Sequence, residues 1–324
     1  MIGWILFSVV LIVVILLLLV SYWMRQKLFG HRFIPDPLVR YYQIEEFEGL
    51  RKEAIAFSRK KIILRGYLYS YPIKHVKVMI VAHGMWSNHQ AYLQEIEFFA
   101  RNGYLVIGFD YCGTDQSDGK NIKGLAESLV SLDAAVSFAE SDLRFRGLPI
   151  VVFGHSWGGF AAGTIASIHP NIEKVVVMSG FISLPKIYLN LLPKALDILV
   201  PFFLFWDWIY HGKYAFKSIR KTLLNSPVDA LIIHSKDDQM VSYRQHTAVL
   251  EKKLADQTSF LVVNGKNHNP DYTTEAIDYM KEVQSHKKTL SKEEQKNYLE
   301  SVDWHRMGQI DEELLRQVLD FLNS

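Results

Sequence analysis

Three widely separated side chains of this chain have the types and the order needed for acyl transfer. They are Ser156, Asp238 and His268. A serine hydroxyl becomes a nucleophile when a histidine accepts its proton and a carboxylate orients that histidine. In an open α/β sheet these groups follow one another as serine, acid and histidine, which is the order found here. The sequence therefore predicts a serine nucleophile at position 156.

Ser156 is the centre of Gly154-His155-Ser156-Trp157-Gly158, which has the spacing G-x-S-x-G. An apolar run at 148–153 precedes it and a helix-like segment at 160–166 follows it. A turn this sharp between strand and helix strains its central residue and leaves the hydroxyl exposed at the top of the sheet. The glycines are needed because side chains there would collide with the neighbouring strand and helix. An ordinary glycine-rich turn is the alternative, since the spacing alone also arises by chance.

The acid and the histidine each follow another apolar run, at 230–233 and at 260–263. Parallel strands present their carboxyl ends at the same edge of a sheet, so these loops should converge on the serine. Two adjacent acids compete for the orienting role. We favour Asp238, which stands three residues before Val241, where the next helix can begin packing; Asp237 remains the alternative.

Acyl transfer also needs two N–H donors for the oxyanion of the tetrahedral intermediate. The Trp157 N–H, directly after the nucleophile, is one candidate. The Met85 N–H is the other, because His83-Gly84-Met85-Trp86-Ser87 turns sharply after the apolar strand 76–82. The side chains of Trp86 and Trp157 are interpreted as apolar walls of a pocket.

Composition limits the class of protein. The chain has 324 residues, 49% of them hydrophobic, and its 36 basic and 34 acidic residues are interspersed, with a formal net charge of +2. The sequence contains no basic stripe with interleaved aromatic residues, which would indicate a nucleic-acid partner. The single cysteine, Cys112, excludes an intramolecular disulfide and a CxxC metal site. The chain reads as one large globular domain behind an unusual N-terminus.

Residues 2–20 contain no charged side chain, and a helix of this length crosses a bilayer core of about 30 Å. A cleaved signal peptide would need a basic start and a small-residue cleavage site, and neither is present. We therefore divide the chain into a transmembrane anchor at 1–24, a juxtamembrane linker at 25–47 and a globular domain at 48–324. The basic flank at Arg25, Lys27 and Arg32 predicts a cytoplasmic domain, with an outward-facing domain as the alternative.

Beyond residue 48, apolar strands alternate with amphipathic helices. This pattern predicts an α/β fold with a mostly parallel central sheet covered by helices on both faces. A polar helical stretch is expected at 45–53. The alternation is interrupted at 181–227 by an insert too apolar for a solvent loop, which includes the aromatic residues Phe202, Phe205 and Trp206.

From about Glu48 onward the chain resembles the α/β-hydrolase superfamily, in particular bacterial serine aminopeptidase-like and monoacylglycerol-lipase-like hydrolases. The resemblance rests on His83-Gly84, on the loop 110–119, on the pentapeptide around Ser156, and on the ordered acid and histidine. The family loop has the pattern D-x-x-G-x-G-x-S, and here Asp115 stands at its second glycine. In this fold the insert at 181–227 has the position of a lid.

The resemblance implies that Ser156 attacks an acyl carbonyl, that His268 accepts and returns the proton, and that Asp238 orients His268 before water hydrolyses the acyl-enzyme. It implies no metal and no cofactor. We expect a membrane-tethered serine esterase acting on acyl or lipid-like esters, with Phe202, Phe205 and Trp206 contacting the substrate. These aromatics could instead pack the lid on the core or on the bilayer. A peptidase or amidase, and a tethered interaction protein without activity, are the alternatives.

Overall fold

The computed structural model describes residues 1–36 and 38–324, and its strands form a single eight-stranded sheet. The strands are β1 (Arg51–Arg59), β2 (Ile62–Ser70), β3 (Lys77–Ala82), β4 (Tyr104–Phe109), β5 (Ile150–His155), β6 (Lys174–Met178), β7 (Asp229–Ser235) and β8 (Ser259–Val263). Their order across the sheet is β1-β2-β4-β3-β5-β6-β7-β8. Strands β3 to β8 are parallel to one another, and β2 pairs antiparallel with both β1 and β4. The predicted fold class, an α/β fold with a mostly parallel sheet, is confirmed.

Twelve α-helices accompany the sheet in the described part of the chain. They are α1 (Ile2–Phe29), α2 (Leu93–Arg101), α3 (Glu127–Ser141), α4 (Trp157–Ile165), α5 (Leu184–Leu191), α6 (Val200–His211), α7 (Ile219–Asn225), α8 (Thr247–Leu254), α9 (Thr274–Thr289), α10 (Lys292–Ser301), α11 (Trp304–Met307) and α12 (Glu312–Asn323). Helices α2 and α12 cover one face of the sheet, and α3, α4 and α8 cover the other. The central strands are continuous apolar runs because both of their faces are buried.

The insert at 181–227 forms three helices, α5 to α7, joined by short 3₁₀ turns. They lie on the α4 side of the sheet, where α7 packs on α4 and α5 packs on α6. This side is also the one on which Phe203 and Ile219 join the main core.

One local prediction was wrong. The stretch 45–53 is not a helix: a 3₁₀ turn covers Ile44–Glu46, Gly49 has a φ of +82°, and β1 starts at Arg51. Pairing along the whole of β2 outweighs the weak helical pattern of this polar segment. Helix α1 continues past the predicted anchor at 1–24 and ends at Phe29.

The segment after α1 is attached to the domain rather than extended as a linker. The Phe33 N–H donates to the Gly113 carbonyl at 2.9 Å, and the Asp115 N–H donates to the Phe33 carbonyl at 2.9 Å. The Arg32 guanidinium donates to the Asp115 carbonyl as well. Asp115 itself has a φ of +33°, so the loop keeps the positive φ expected of the family's glycine even with an aspartate there.

Candidate active site

Ser156 lies at the junction of β5 and α4, with φ +55° and ψ −110°. A side chain at Gly154 would overlap the Gly158 carbonyl, and one at Gly158 would overlap the Ala82 carbonyl on β3. The Ser156 N–H donates to the Met178 carbonyl of β6 at 2.8 Å, which fixes the turn to the sheet. The strained, half-buried serine therefore has the backbone geometry that the pentapeptide predicts.

The structure brings the three predicted residues together. His268 Nε2 lies 2.8 Å from Ser156 Oγ, and His268 Nδ1 lies 2.8 Å from Asp238 Oδ2. The loops after β5, β7 and β8 supply them, at the edge where the parallel strands end. Since a carboxylate only accepts, Nδ1 carries the proton and Nε2 is free to accept one from the serine hydroxyl.

The Asp238 carboxylate is surrounded by donors. Its Oδ1 accepts from the N–H groups of Met240 at 2.8 Å and Val241 at 2.9 Å, and its Oδ2 also accepts from His234 Nε2 at 3.0 Å. Burial alone would raise the pKa of this carboxyl. The hydrogen bonds from His234 and His268 outweigh burial and hold the pKa below its ordinary value. Asp238 is therefore a permanent anion behind His268.

The neighbouring Asp237 has a different position. It is exposed, and its Oδ1 accepts from the Ser235 hydroxyl at 2.5 Å and the Gly265 N–H at 2.8 Å. Its Oδ2 accepts from the Asn267 N–H at 3.3 Å. Asp237 thus fastens the loop that carries His268 to the end of β7, while Asp238 contacts the imidazole.

The loop after β3 is held by two buried side chains. His83 is fully buried, and its Nε2 accepts from the Tyr111 N–H at 3.3 Å, so its Nδ1 carries the proton that it donates to the Gly84 carbonyl at 2.8 Å. Burial lowers the pKa of His83 to about 4, which keeps it neutral. The Gly84 N–H donates to Tyr92 Oη at 2.9 Å. Because the peptide is planar and trans, the Met85 N–H points opposite to the Gly84 carbonyl and away from His83.

Tyr92 connects this loop to β5, the strand that leads to Ser156. Its hydroxyl lies 2.7 Å from His155 Nδ1, and His155 Nε2 lies 2.9 Å from the His268 carbonyl. Since that carbonyl can only accept, Nε2 of His155 is protonated and Tyr92 donates to Nδ1. Burial, followed by repulsion from His268, lowers the pKa of His155 to about 3. One neutral chain of hydrogen bonds therefore links Gly84 to the backbone of His268.

The Trp157 N–H belongs to the first turn of α4, where backbone donors have no partner within the helix. The Trp157 side chain points elsewhere: its Nε1 donates to the Leu125 carbonyl at 2.6 Å and its ring meets Tyr111 edge-on. It is core rather than a cavity wall, contrary to prediction. Trp86 does line the cavity and is 45% exposed.

Ser156 and His268 open into a mostly apolar cavity of about 430 Å³. Its apolar walls come from the N-terminal helix, the loop after β3, the inserted helices and the loop after β7, and they include Leu28, Phe29, Met85, Tyr188, Leu191, Leu192, Phe203 and Met240. A groove of about 650 Å³ beside α11 is more polar and contains none of the three predicted residues. The apolar cavity is the space directly beside Ser156 and His268.

The predicted lid residues do not line this cavity. On α6 the buried face carries Phe203 and Asp207, one helical turn apart, and only Phe203 borders the cavity. Phe202 is half-buried outside it and Phe205 is 37% exposed. Trp206 faces α1 instead, as its Nε1 donates to Ser21 Oγ at 3.1 Å. The predicted helix does border the cavity, but it does so through a different face from the one predicted.

Sequence reasoning missed several residues of the site. His155 had a local signal, since it directly precedes the nucleophile. Tyr92 and His234 had none, because their contacts depend on how helices and strands pack. Leu28 and Phe29 fall within the predicted linker at 25–47, and no sequence pattern indicates that they reach the cavity.

A family model described as serine aminopeptidase, S33, matches residues 73–209. The match contains Ser156 and the loop after β3, and it ends before Asp238 and His268. An uncharacterized protein of Caenorhabditis elegans is 33% identical over 101 residues, 31% of this chain and 20% of the relative. The monoacylglycerol lipase of Mycolicibacterium smegmatis is 30% identical over 105 residues, 32% of this chain and 37% of that protein. The chain thus matches well under half the length of these relatives.

Among solved structures, the esterase Pf2001 of Pyrococcus furiosus has a TM-score of 0.58 at 18% identity, over 78% of this chain and 95% of the esterase. Identity this low shows the fold alone. Together with the sheet order and the sharp turn at Ser156, it shows that the chain has the α/β-hydrolase fold.

Proposed function

We propose that this protein is a membrane-anchored serine hydrolase that cleaves carboxylic esters with acyl or lipid-like acyl groups. The observation that carries the proposal is the unbroken chain of contacts from Ser156 Oγ through His268 to Asp238, at the mouth of an apolar cavity. The sequence relative that is a monoacylglycerol lipase supports the same class of substrate.

The mechanism follows from the protonation states. Ser156 Oγ attacks the ester carbonyl as His268 Nε2 takes its proton, and the imidazolium formed is stabilised by the Asp238 anion. The N–H groups of Met85 and Trp157 donate to the oxyanion, each worth about 3 kcal/mol of barrier. The imidazolium then returns the proton to the leaving alcohol, and a water activated by His268 hydrolyses the acyl-enzyme.

A peptidase or amidase on this fold is the second candidate, favoured by the description of the matching family model. An aminopeptidase must hold the charged amino group of its substrate, which is costly without an anionic partner. In the described part of the chain the cavity lining contains no carboxylate, which supports an ester substrate.

A panel of p-nitrophenyl esters and aminoacyl-anilides separates the two candidates. We expect the esters to be cleaved at least about 100-fold faster, and a preference for anilides would overturn the ester proposal.

A fluorophosphonate probe tests the nucleophile: Ser156→Ala should abolish labelling, whereas the exposed Ser167→Ala should not. Labelling that persists in Ser156→Ala, or is absent from the parent, would refute the role of Ser156.

We also propose that α1 anchors the protein in a membrane with the domain on the cytoplasmic side. Helix α1 is long and apolar enough to cross a bilayer. Lys27 supplies an exposed positive charge at its domain end, beside the Trp23 ring. Since Cys112 is buried, Glu293→Cys introduces one exposed thiol. A membrane-impermeant maleimide should label it only after lysis, and labelling of intact cells would place the domain outside.

A further inference from the structure

Helix α1 has two parts with different surroundings. From Ile2 to Val20 its side chains are exposed except for the half-buried Leu17 and Leu18. From Ser21 to Phe29 every fourth side chain is buried, at Ser21, Arg25 and Phe29. This spacing is one stripe of an α-helix, so the last two turns of α1 pack on the domain.

The packed turns are held to the lid by polar contacts. Trp206 Nε1 donates to Ser21 Oγ at 3.1 Å, and the Tyr22 and Trp206 rings lie 5.0 Å apart. The Arg25 guanidinium lies 3.7 Å from the Asp207 carboxylate and 4.3 Å from the centre of the Tyr210 ring. Arg25 is 2% exposed and Asp207 is fully buried. The pair adds a buried polar contact between α1 and α6, in which no hydrogen bond joins the two groups.

These contacts place two residues of α1 in the active-site cavity. Leu28 and Phe29 line the same space as Ser156, opposite helices α5 and α6. Phe29 is 4% exposed, while Leu28 is 45% exposed and lies at the opening. The end of the N-terminal helix is therefore a wall of the cavity.

The exposed part of α1 sets the height of that opening above a bilayer. Residues 2–20 span about 28 Å, close to a hydrocarbon thickness of about 30 Å. Leu28 lies eight residues beyond Val20, or about 12 Å further along the axis, while the head-group layer is about 5–8 Å thick on each side. With α1 upright in the bilayer, the opening at Leu28 thus lies a few ångströms beyond the outer head groups.

The lid continues the apolar surface of α1 closer to the bilayer, since α6 contacts α1 at Ser21 and Arg25. Phe205, Trp208 and Ile209 of α6 are 37%, 47% and 53% exposed, and α6 packs directly on α1. Exposed aromatic and aliphatic side chains beside a bare apolar helix match the interface of a bilayer. The occupant of this face is the lipid surface in which α1 sits.

We propose that Leu28 and Phe29 are substrate-binding residues and that a long-chain ester passes from the surrounding bilayer along α1 directly to Ser156. This inference rests on the proposed ester hydrolysis and names its substrate class, a bilayer-resident ester lipid. The anchor is then part of the specificity of the enzyme.

The delivery route is tested with the full-length protein in phosphatidylcholine vesicles. Dioleoylglycerol is placed either in the same vesicles as the protein or in separate vesicles. We expect hydrolysis at least about ten-fold faster when enzyme and lipid share a bilayer. Equal rates would overturn delivery from the bilayer. Hydrolysis of p-nitrophenyl butyrate in the same samples reports the proposed function separately, since its failure removes that proposal and not only this one.

The wall is tested by Leu28→Trp, which adds bulk at the opening, with Ile12→Trp on the exposed part of the same helix as the matched control. We expect the ratio of dioleoylglycerol to p-nitrophenyl butyrate hydrolysis to fall at least about ten-fold for Leu28→Trp and to change less than about two-fold for Ile12→Trp. Leu28→Ala, which opens the same wall without added bulk, should leave a ratio at or above that of the parent. An unchanged ratio in Leu28→Trp, or an equal fall in both tryptophan variants, would refute the role of α1. Fluorophosphonate labelling confirms that each variant is folded.

Discussion

Replacing Asp238 by asparagine removes the anion behind His268 and keeps the side-chain shape. Four donors face the carboxylate: two backbone N–H groups at Oδ1 and the rings of His234 and His268 at Oδ2. An asparagine can accept at only one of these sides. The backbone donors cannot change, so the amide NH₂ must face the two rings.

His268 must then present an unprotonated Nδ1 to the amide, which moves its proton to Nε2. The ring donates to Ser156 Oγ in this tautomer and no longer accepts from it. We expect kcat to fall by about 10³–10⁴, or about 4–5.5 kcal/mol of barrier. The unfolding free energy should fall by only about 1–2 kcal/mol, since one hydrogen bond is exchanged for another.

Asp237→Asn is the matched control, because Asp237 holds the His268 loop without touching the ring. Its kcat should fall less than about ten-fold. The measurements are p-nitrophenyl butyrate kinetics and thermal unfolding of both variants. Equal loss of kcat in the two, or less than ten-fold loss in Asp238→Asn, would refute the tautomer argument. The lowered pKa of Asp238 keeps it ionised at any assay pH above its ordinary value of about 3.9, so acid cannot reproduce the variant.

Two further predictions concern buried side chains around the site. Tyr92→Phe removes the acceptor of the Gly84 N–H and the donor to His155, so kcat should fall about ten-fold while KM changes less than about two-fold. Tyr71→Phe, which loses only a hydrogen bond to Glu97, should match the parent. An unchanged kcat in Tyr92→Phe would show that this series of hydrogen bonds does not position the loop after β3. Burial lowers the pKa of His246 to about 4, as it does that of His83 and, to about 3, that of His155. The unfolded chain then binds more protons than the folded chain below pH 6.5, so the unfolding free energy should fall with falling pH by about 1.4 kcal/mol per pH unit for each of these histidines. Urea unfolding at pH 7, 6 and 5 measures this slope. His246→Gln should take up about one proton fewer on unfolding than the parent. An identical pH slope in that variant would contradict the assignment.

The part of the site that the sequence predicts is the part with local signals. The turn at Ser156 is set by its two glycines and its flanking strand and helix, and the convergence of the three loops follows from parallel strands alone. The sequence has no comparable local signal that separates Asp238 from Asp237, because the two acids are adjacent. The turn after β7 decides it, because it buries the Asp238 carboxylate and leaves Asp237 in solvent.

What the sequence could not give depends on contacts between distant elements. The aromatic cluster on α6 indicates a lid. Which face of α6 meets the cavity depends on where α1 packs, and Trp206 contacts α1 instead of the cavity. Arg25 has the position of a head-group anchor in the sequence and is instead buried against Asp207. A charge pattern cannot separate these two environments, because a partner in another helix decides between them.

The proposed delivery of the substrate from the bilayer also changes how kcat/KM should depend on acyl-chain length. Each methylene moved from water into the cavity is worth about 0.8 kcal/mol, so kcat/KM for soluble p-nitrophenyl esters from acetate to hexanoate should rise about fourfold per methylene. A chain that leaves bilayer hydrocarbon for a cavity lined by Leu28, Leu191 and Phe203 exchanges one apolar environment for another and gains almost nothing. For diacylglycerols of graded length in vesicles, kcat/KM per mole fraction should therefore be nearly flat until the chain no longer fits. A flat series in water would refute the cavity as the acyl site, and a fourfold rise per methylene in vesicles would refute its equivalence to hydrocarbon. Selectivity among membrane esters must then come from the shape of the cavity, which α1 helps to set.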